Sequence, residues 1–282
     1  MSYSKEINVL DKGWVKYVDH MGNDNSSLEA ARMSTNNPTG VDAHKDDKLR
    51  DYLWRLNHSS PSEMSELVVE IQAPIWVIRE LDRHRSIDYA TDTIVETVDE
   101  IPRKFMSRNE YSGRYSEYLD AFYIPPLERI KGQAKINKQG SEGEIPLEVK
   151  QEFLAHMHDA IECMRIAYHF ALNNGIAREL ARIIMPLNVY SRLRLKGSLL
   201  SWLKFLNLRD RDDVQPETRD YAIAIAEIVK DLFPKSYAVF EEHTMGGIQL
   251  SKSEREYLKK YIETGEPGDP ETLTLLKIYN RL

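Results

Sequence analysis

The chain has 282 residues, 41% of them apolar and 29% charged, with a formal net charge of −7. That length supports one large domain or two small ones with a sizeable core, and the acidic balance argues against general nucleic-acid binding. The lone cysteine, Cys163, excludes an intramolecular disulfide and a cysteine-rich zinc site; apolar runs such as AIAIAEIV fall short of a membrane span, and the start MSYSKEINVL lacks a signal-peptide pattern, so a cytoplasmic protein is expected.

In chain order, INVLDKGWVKYVDHMG predicts two strands joined by a turn at Asp11-Lys12-Gly13. NSSLEAARMS predicts a short helix capped by Asn25 or Ser26, and DAHKDDKLRDYLWRLNH a second, with Leu49, Leu53 and Leu56 near one face. SELVVEIQA reads as a strand stopped by Pro74, which suits the first position of a helix over PIWVIRELDRHR that buries Ile75, Ile78 and Leu81. Residues 86–105 are mixed in character and read as a short helix or a hairpin, ended by Pro102. The stretch MSRNEYSGRYSEY, Met106 to Tyr118, reads as a polar loop, DAFYIPP as a strand, and 129–146 as a loop rich in Gly and Lys.

Helices dominate from there. A long amphipathic helix carries Phe153, Leu154, Met157, Ile161, Met164 and Tyr168 at helical spacing, with Cys163 expected as a small buried hydrophobe within it. ARELARIIMPL is helical as far as Pro186, SLLSWLKFLNLR is a short helix, and PETRDYAIAIAEIVKDLF sets Ala222, Ile225, Ala226, Val229 and Leu232 on one face. Two more helices are expected after Ser251, around GEPGDP. The fold class is α+β: a small antiparallel or mixed sheet, early in the chain, with long helices.

Several chemistries lack their motifs. There is no H-E-x-x-H, and His156 and His158, two apart on a helix, point in different directions, so no metal site is expected. There is no G-x-G-x-x-G, no P-loop and no G-x-S-x-G elbow around Ser112. What remains is a set of arginines. Arg83, Arg85, Arg114, Arg182 and Arg209 stand at the ends of elements or in the polar loop, and guanidinium forks bind phosphates and planar carbonyl edges. Joined by Ser112 and Asn109, they would suit a nucleotide monophosphate. Between Arg178 and Arg211 there are eight Lys/Arg against two Asp/Glu, which reads either as a local anion site or as a solvated face.

Arg83-His84-Arg85 and the run Ser107-Arg108-Asn109-Glu110-Tyr111-Ser112-Gly113-Arg114-Tyr115 resemble the signature of the flavin-dependent thymidylate synthases. DKGWVKYVDHMGND, AARMS, HSSPSE, APIWVIRELDRHR, FYIPP, ARIIMPLNVYSRL, FLNLR and ETRDYAIAIA follow in the family's order, over roughly Ile7 to Phe240. The resemblance implies an enzyme that methylates C5 of dUMP, with methylenetetrahydrofolate as carbon donor and FAD, reduced by NADPH, as reductant, in a homotetramer, with no cysteine nucleophile. It implies nucleotide contacts at Glu80, Arg83, Glu110, Tyr111, Ser112, Gly113, Arg114, Arg182 and Arg209. Arg182 would hold phosphate across a subunit contact, and Arg209 would sit beside the uracil ring and, with Ser112, make up the catalytic pair. His58, Ser60, Glu63, Arg83, His84, Arg85, Ser198 and Lys204 fall at flavin-side positions.

The chain departs from the family pattern in several places. The two signature halves, usually two residues apart, are separated here by about twenty more, residues 86–105. Glu80-Leu81-Asp82 replaces Gln and two aromatics, and a carboxylate at Glu80 would repel phosphate unless an arginine neutralised it. Ser198 and Leu200 replace the asparagine and arginine of the flavin-contacting run, and Lys204 replaces an amide or histidine. These changes leave room for a related enzyme that modifies C5 differently, as by hydroxymethylation, or for a nucleotide-binding homologue without redox chemistry. The expected organisation is one domain over residues 1–250, with 86–105 inserted, and a C-terminal helical extension over 251–282.

Overall fold

The computed structural model describes residues 3–83, 107–135, 138–248 and 250–264, apart from Ser34 and Asn36. The expectations for 86–105 and for the last of the C-terminal helices lie outside these residues, as do His84 and Arg85. A five-stranded antiparallel sheet runs in the order β1-β2-β3-β7-β4, with β1 Glu6–Val9, β2 Gly13–Met21, β3 Glu66–Pro74, β4 Ser107–Glu110 and β7 Tyr190–Ser198. The hairpin between β1 and β2 turns at Asp11-Lys12-Gly13, as the sequence suggests. Gly13 is required there, because a Cβ would stand 1.9 Å from the buried Tyr221 hydroxyl.

One sheet face is apolar. Val15, Leu67, Val69, Ile71, Leu193 and Leu195 meet α3 (Ile75–Leu81), α6 (Leu199–Arg209) and α7 (Pro216–Leu232), which bury Ile78, Trp202, Leu203, Tyr221, Ile225 and Val229. Strand alternation accounts for the choice: on β7, Leu193 and Leu195 point into the core, and Arg192, Arg194 and Lys196 point out. α6 follows β7 directly. Ser198 caps it by accepting the Ser201 N–H at 3.2 Å.

The remaining elements frame this layer. α2 (Ala43–Arg55) packs against α8 (Pro234–Phe240), and α1 (Ser26–Arg32) packs against α2. α2 buries Asp46 and Arg50 rather than the expected leucine stripe; Leu56 is exposed. Asp46 pairs with Arg32, and Arg50 with Asp47, so a polar network occupies the helix's inner face. α4 (Leu147–Asn173) is 27 residues long, yet only Lys150, Ile161, Tyr168 and Ala171 are buried. Cys163, expected in the interior, is exposed on it.

Other expectations shift. DAFYIPP makes only a single bridge, Phe122 to Val189, instead of a strand. Inside the 129–146 loop, β5 (Gly132–Gln133) pairs with β6 (Ser141–Glu142). ARELARIIMPL forms the short α5 (Arg178–Ala181) and a 3-10 turn, Arg182–Ile184. α9 (Lys252–Thr264) ends the described chain, with Tyr257 buried. No helix among the described residues is long and apolar enough to cross a membrane.

Candidate functional site

β4 and the loop after it hold the densest set of expected site residues. The sequence reads as a loop here because Ser107-Arg108-Asn109-Glu110 has no apolar alternation. The four residues nevertheless form an edge strand, recruited by β7: Ser107 lies opposite Lys196 and Glu110 opposite Leu193. Backbone pairing needs no buried side chains, so periodicity carries no sign of such a strand. The Tyr111 N–H continues the ladder by donating to Arg192 O at 2.8 Å.

The chain then turns on itself. Ser112 O accepts from the N–H groups of Tyr115 at 3.0 Å and Ser116 at 3.2 Å, while Ser112 Oγ accepts from the Arg114 N–H at 3.3 Å. Gly113 is buried against Tyr118, where a Cβ would stand 2.3 Å from Cε2. Tyr118 is fixed in turn, its N–H donating to the Tyr168 hydroxyl at 3.1 Å from α4. Burial raises the Tyr118 phenol above its ordinary range, and the nearby positive charge of Arg182 opposes that rise. Arg114 lies 3.7 Å from Glu179 on α5. Glu110, Tyr111, Ser112, Gly113, Arg114 and Arg182 therefore belong to one neighbourhood, built from the edge strand, its loop and the α4–α5 end.

A second group sits at the end of α3. Arg83 is exposed just past the helix, and its N–H donates to Glu80 O at 3.3 Å. Arg209, the last residue of α6, donates from Nη2 to the same carbonyl at 3.4 Å and stands 4.0 Å from the Glu80 carboxylate. Its Nε is buried and makes no hydrogen bond. The two groups are linked by Arg108, which pairs with Asp82 and, at 3.5 Å, with Glu110. The Glu110 carboxylate also accepts from Ser191 Oγ at 3.4 Å. Sequence reasoning missed Asp82, Arg108 and Tyr118: contacts between separate elements leave no local spacing to read.

The basic run from Arg178 to Arg211 resolves into different roles. Arg192 donates to Gln72 at 2.9 Å, Arg194 to Glu70 at 2.9 Å, and Lys196 lies 2.7 Å from Glu66. Three of its eight cations are thus engaged along the outer face of the sheet by β3, while Arg178, 3.7 Å from Glu117 of the loop after β4, joins Arg182 and Arg209 in the neighbourhoods described above.

The remaining predicted positions gather elsewhere. His58, Ser60 and Glu63 lie on and just before the 3-10 turn Ser60–Met64, and Ser198 and Lys204 lie at and within α6. His58 and Lys204 line one cavity of about 140 Å³. Its apolar walls include Trp54, Leu200, Leu203 and Phe240, and Asn57, Asn207 and Thr244 add polar groups. The Trp54 indole N–H donates to Thr244 Oγ1 at 2.9 Å, and the His58 ring stacks on Tyr52 at 6.1 Å. An apolar slot edged by an imidazole, an ammonium and two carboxamides has the chemistry to hold a planar heteroaromatic ring. Ser198 does not reach it: its hydroxyl is spent on Ser201. Among the described residues no cluster of metal-ligating side chains occurs.

Comparison with known proteins adds independent evidence. The model of the family described as thymidylate synthase complementing protein matches residues 16–235. The chain is 40% identical over 253 residues to a flavin-dependent thymidylate synthase of Thermus thermophilus, covering 90% of this chain and 84% of that protein. It is 34% identical to the flavin-dependent thymidylate synthase of Treponema denticola, covering 94% and 92%. Among solved structures, a UMP/dUMP methylase PolB from Streptomyces cacaoi bound with 5-Br dUMP superposes with a TM-score of 0.69 at 28% identity, covering 84% of this chain and 98% of that one.

Proposed function

The chain belongs to the flavin-dependent thymidylate synthase family, and from that premise we propose that it converts dUMP to dTMP by reductive methylation, with methylenetetrahydrofolate and NADPH as co-substrates and FAD as cofactor. One observation carries the reading furthest: the run Ser107–Arg114 forms an edge strand and a tight loop in which Arg114 lies beside Glu179 of α5 and Gly113 packs on Tyr118, itself near Arg182. Such an array of guanidinium, hydroxyl and backbone N–H groups suits a phosphate monoester.

In this reading Arg114, Arg182 and Arg83 hold the phosphate of dUMP, and Ser112, with the backbone around Gly113, orients it. Glu110 and Tyr111 complete the nucleotide contacts. Arg209 lies against the pyrimidine, where a cation beside the ring oxygens stabilises the negative charge that develops as C5 becomes nucleophilic. Glu80 sits next to that arginine, which neutralises a carboxylate that would otherwise repel the nucleotide. Ser112 acts as an orienting hydroxyl; the proposed route requires no nucleophilic side chain.

In this reading the cavity lined by His58 and Lys204 takes the flavin ring; Ser60, Glu63 and the Arg83-His84-Arg85 segment are further contacts that the resemblance alone implies. Ser198 makes no such contact in this reading because it caps α6. Bound FAD supplies the reducing equivalents that the methylation consumes. The protein's own residues clamp the phosphate and polarise the ring.

We further propose a homotetramer. α4 is largely exposed along 27 residues and carries Phe153, Ile166 and Phe170 at its surface, and Leu180, Ile183 and Leu187 continue the apolar surface around α5. A second copy of this chain covers such a face. With these reactants the enzyme works in the cytoplasm. The 251–282 segment is taken as an extension to the family domain.

The test is direct. Purified protein is incubated with dUMP, methylenetetrahydrofolate, NADPH and FAD, and products are separated by chromatography with mass detection. Formation of dTMP dependent on all four supports the reading. A hydroxymethylated nucleotide formed without net NADPH consumption, or no nucleotide product at all, overturns it.

A further inference from the structure

We propose that Arg108 is a positioning residue for the nucleotide site, a clasp that holds together the two stretches of chain flanking residues 84–106. One nitrogen of its guanidinium pairs with Asp82 at the C-terminal end of α3; the other lies 3.5 Å from Glu110 on β4. Asp82 precedes Arg83, and Glu110 precedes Tyr111–Arg114, so the fork spans the two halves of the arginine signature. In the usual pattern a short covalent link fixes their spacing. Here Asp82 and Arg108 are 26 residues apart in sequence, and the link is made through charge and hydrogen bonding instead.

The surroundings give the clasp a defined geometry. Glu110 is held from its far side by Ser191 Oγ at 3.4 Å, and β4 is anchored to β7 over its whole length. Asp82 is fixed by its own N–H, which donates to Ile78 O at 2.9 Å. Both carboxylates are therefore attached to framework elements, and Arg108 sets the distance between those elements. The three side chains are each about a third exposed, with relative exposures of 40%, 32% and 31%. Ion pairs that open to water contribute little to overall stability. The contribution of this one lies in preorganisation: it keeps Arg83 and the Ser112–Arg114 loop at a working separation before the nucleotide arrives.

The inference rests on the reading of this neighbourhood as the nucleotide site, which calorimetry of dUMP binding to the wild-type protein tests first. A wild-type protein that binds no dUMP removes both. If it binds, a double-mutant cycle over Asp82→Ala, Arg108→Ala and the double variant isolates the clasp. Each single change is expected to weaken dUMP by about tenfold, and the double variant by no more than the weaker single, because either change opens the same link. KM rises accordingly, and kcat moves much less. Arg108→Lys, which keeps the charge and loses the fork, recovers only part of the affinity. Melting temperatures stay within about 2 °C of wild type, as for a solvent-exposed pair. If instead Asp82→Ala tightens dUMP and the two effects add, Arg108 acts only as a local positive charge and the clasp is wrong. Affinity unchanged in Arg108→Ala overturns it too.

Discussion

Arg209 and Glu80 meet twice: Nη2 of the arginine lies 3.4 Å from the glutamate's carbonyl oxygen and 4.0 Å from its carboxylate. The guanidinium is thereby steered from one edge, while its buried Nε has no hydrogen-bond partner. A buried donor without an acceptor is costly, and a bound ring carbonyl would remove that cost. The first prediction follows from this. Arg209→Ala should lower kcat by roughly two to three orders of magnitude, the usual loss for a donor acting on developing charge. dUMP affinity should fall less, because the phosphate contacts persist. Arg182→Ala should do the reverse, and Ser112→Ala should keep measurable turnover. Glu80→Gln, which removes the carboxylate and leaves the carbonyl, should tighten dUMP. Calorimetry beside steady-state rates separates these outcomes; Arg209→Ala with wild-type kcat would make Arg209 an ordinary helix-terminal cation.

Gly113 supplies the second. Its missing side chain admits the Tyr118 ring, with Cε2 only 2.3 Å from where a Cβ would be. The ring cannot easily retreat, since the Tyr118 backbone N–H is held by Tyr168 and the side chain packs against the cluster of Tyr168, Ala171 and Ala181. Gly113→Ala should therefore displace the loop, with a stability loss of about 1–3 kcal/mol for an overpacked site and a larger loss of nucleotide affinity. Pairing it with Tyr118→Ala should return part of the affinity. If Gly113→Ala alone binds dUMP normally, the loop does not set phosphate geometry.

Much of this architecture was legible in the sequence, and the exceptions share a cause. The hairpin at Asp11–Gly13, β3, and the helices over 199–209 and 216–232 follow from alternation, caps and apolar periodicity. β7 was not: Tyr190–Ser198 carries Arg192, Arg194 and Lys196, and cations at every second position read as an anion site or a solvated face until Glu66, Glu70 and Gln72 of β3 are placed beside them. β4 has no apolar side chains to betray it. Cys163 and Phe153 lie on a helix whose amphipathic pattern is genuine but whose apolar faces are mostly uncovered within one chain. The signature residues Glu110–Arg114 were identifiable by resemblance, whereas the Arg108–Asp82 link is a tertiary pairing without a local signal.

Acid should weaken the frame through carboxylates held ionised. The Gly40 N–H and the Arg32 guanidinium keep Asp46 below the ordinary aspartate range against the opposing effect of burial. Lys235 and Arg50 do the same for Asp47, and Lys5 and Tyr3 for Asp231. Because these groups bind protons less readily folded than unfolded, their stabilisation is complete above about pH 4, the unfolded value, and is lost as pH falls through the lower folded values. Urea midpoints should hold level from neutral pH to about pH 5 and then drop. Asp46→Asn should lower the midpoint at pH 7 and flatten the acid limb. An acid limb identical to that of the wild type would show that the Asp46 pairing contributes nothing to folding.

The last prediction concerns the uncovered face of α4 and the turn after α5. Ile166 and Phe170 are one helical turn apart and expose 62% and 63% of their surface; Ile183, next to Arg182, exposes 75%. Apolar groups that open to water, beside a residue expected to reach phosphate across a subunit contact, connect assembly to catalysis. Ile166→Glu with Phe170→Glu should convert the tetramer to smaller species by light scattering, and turnover should fall with it. A composite site has a sharper consequence. Arg182→Ala and Arg114→Ala protomers are each expected to be poor enzymes alone. If a site takes Arg114 from one copy and Arg182 from another, refolding the two together restores both arginines in roughly a quarter of sites under random mixing. Activity should then return to about that fraction. Arg182 also lies near Tyr118 of its own chain, so a site complete within one protomer is the alternative, and it gives a different result: every mixed site still lacks one arginine, and mixing restores nothing. The mixing experiment therefore decides whether the phosphate is clamped within one chain or between two.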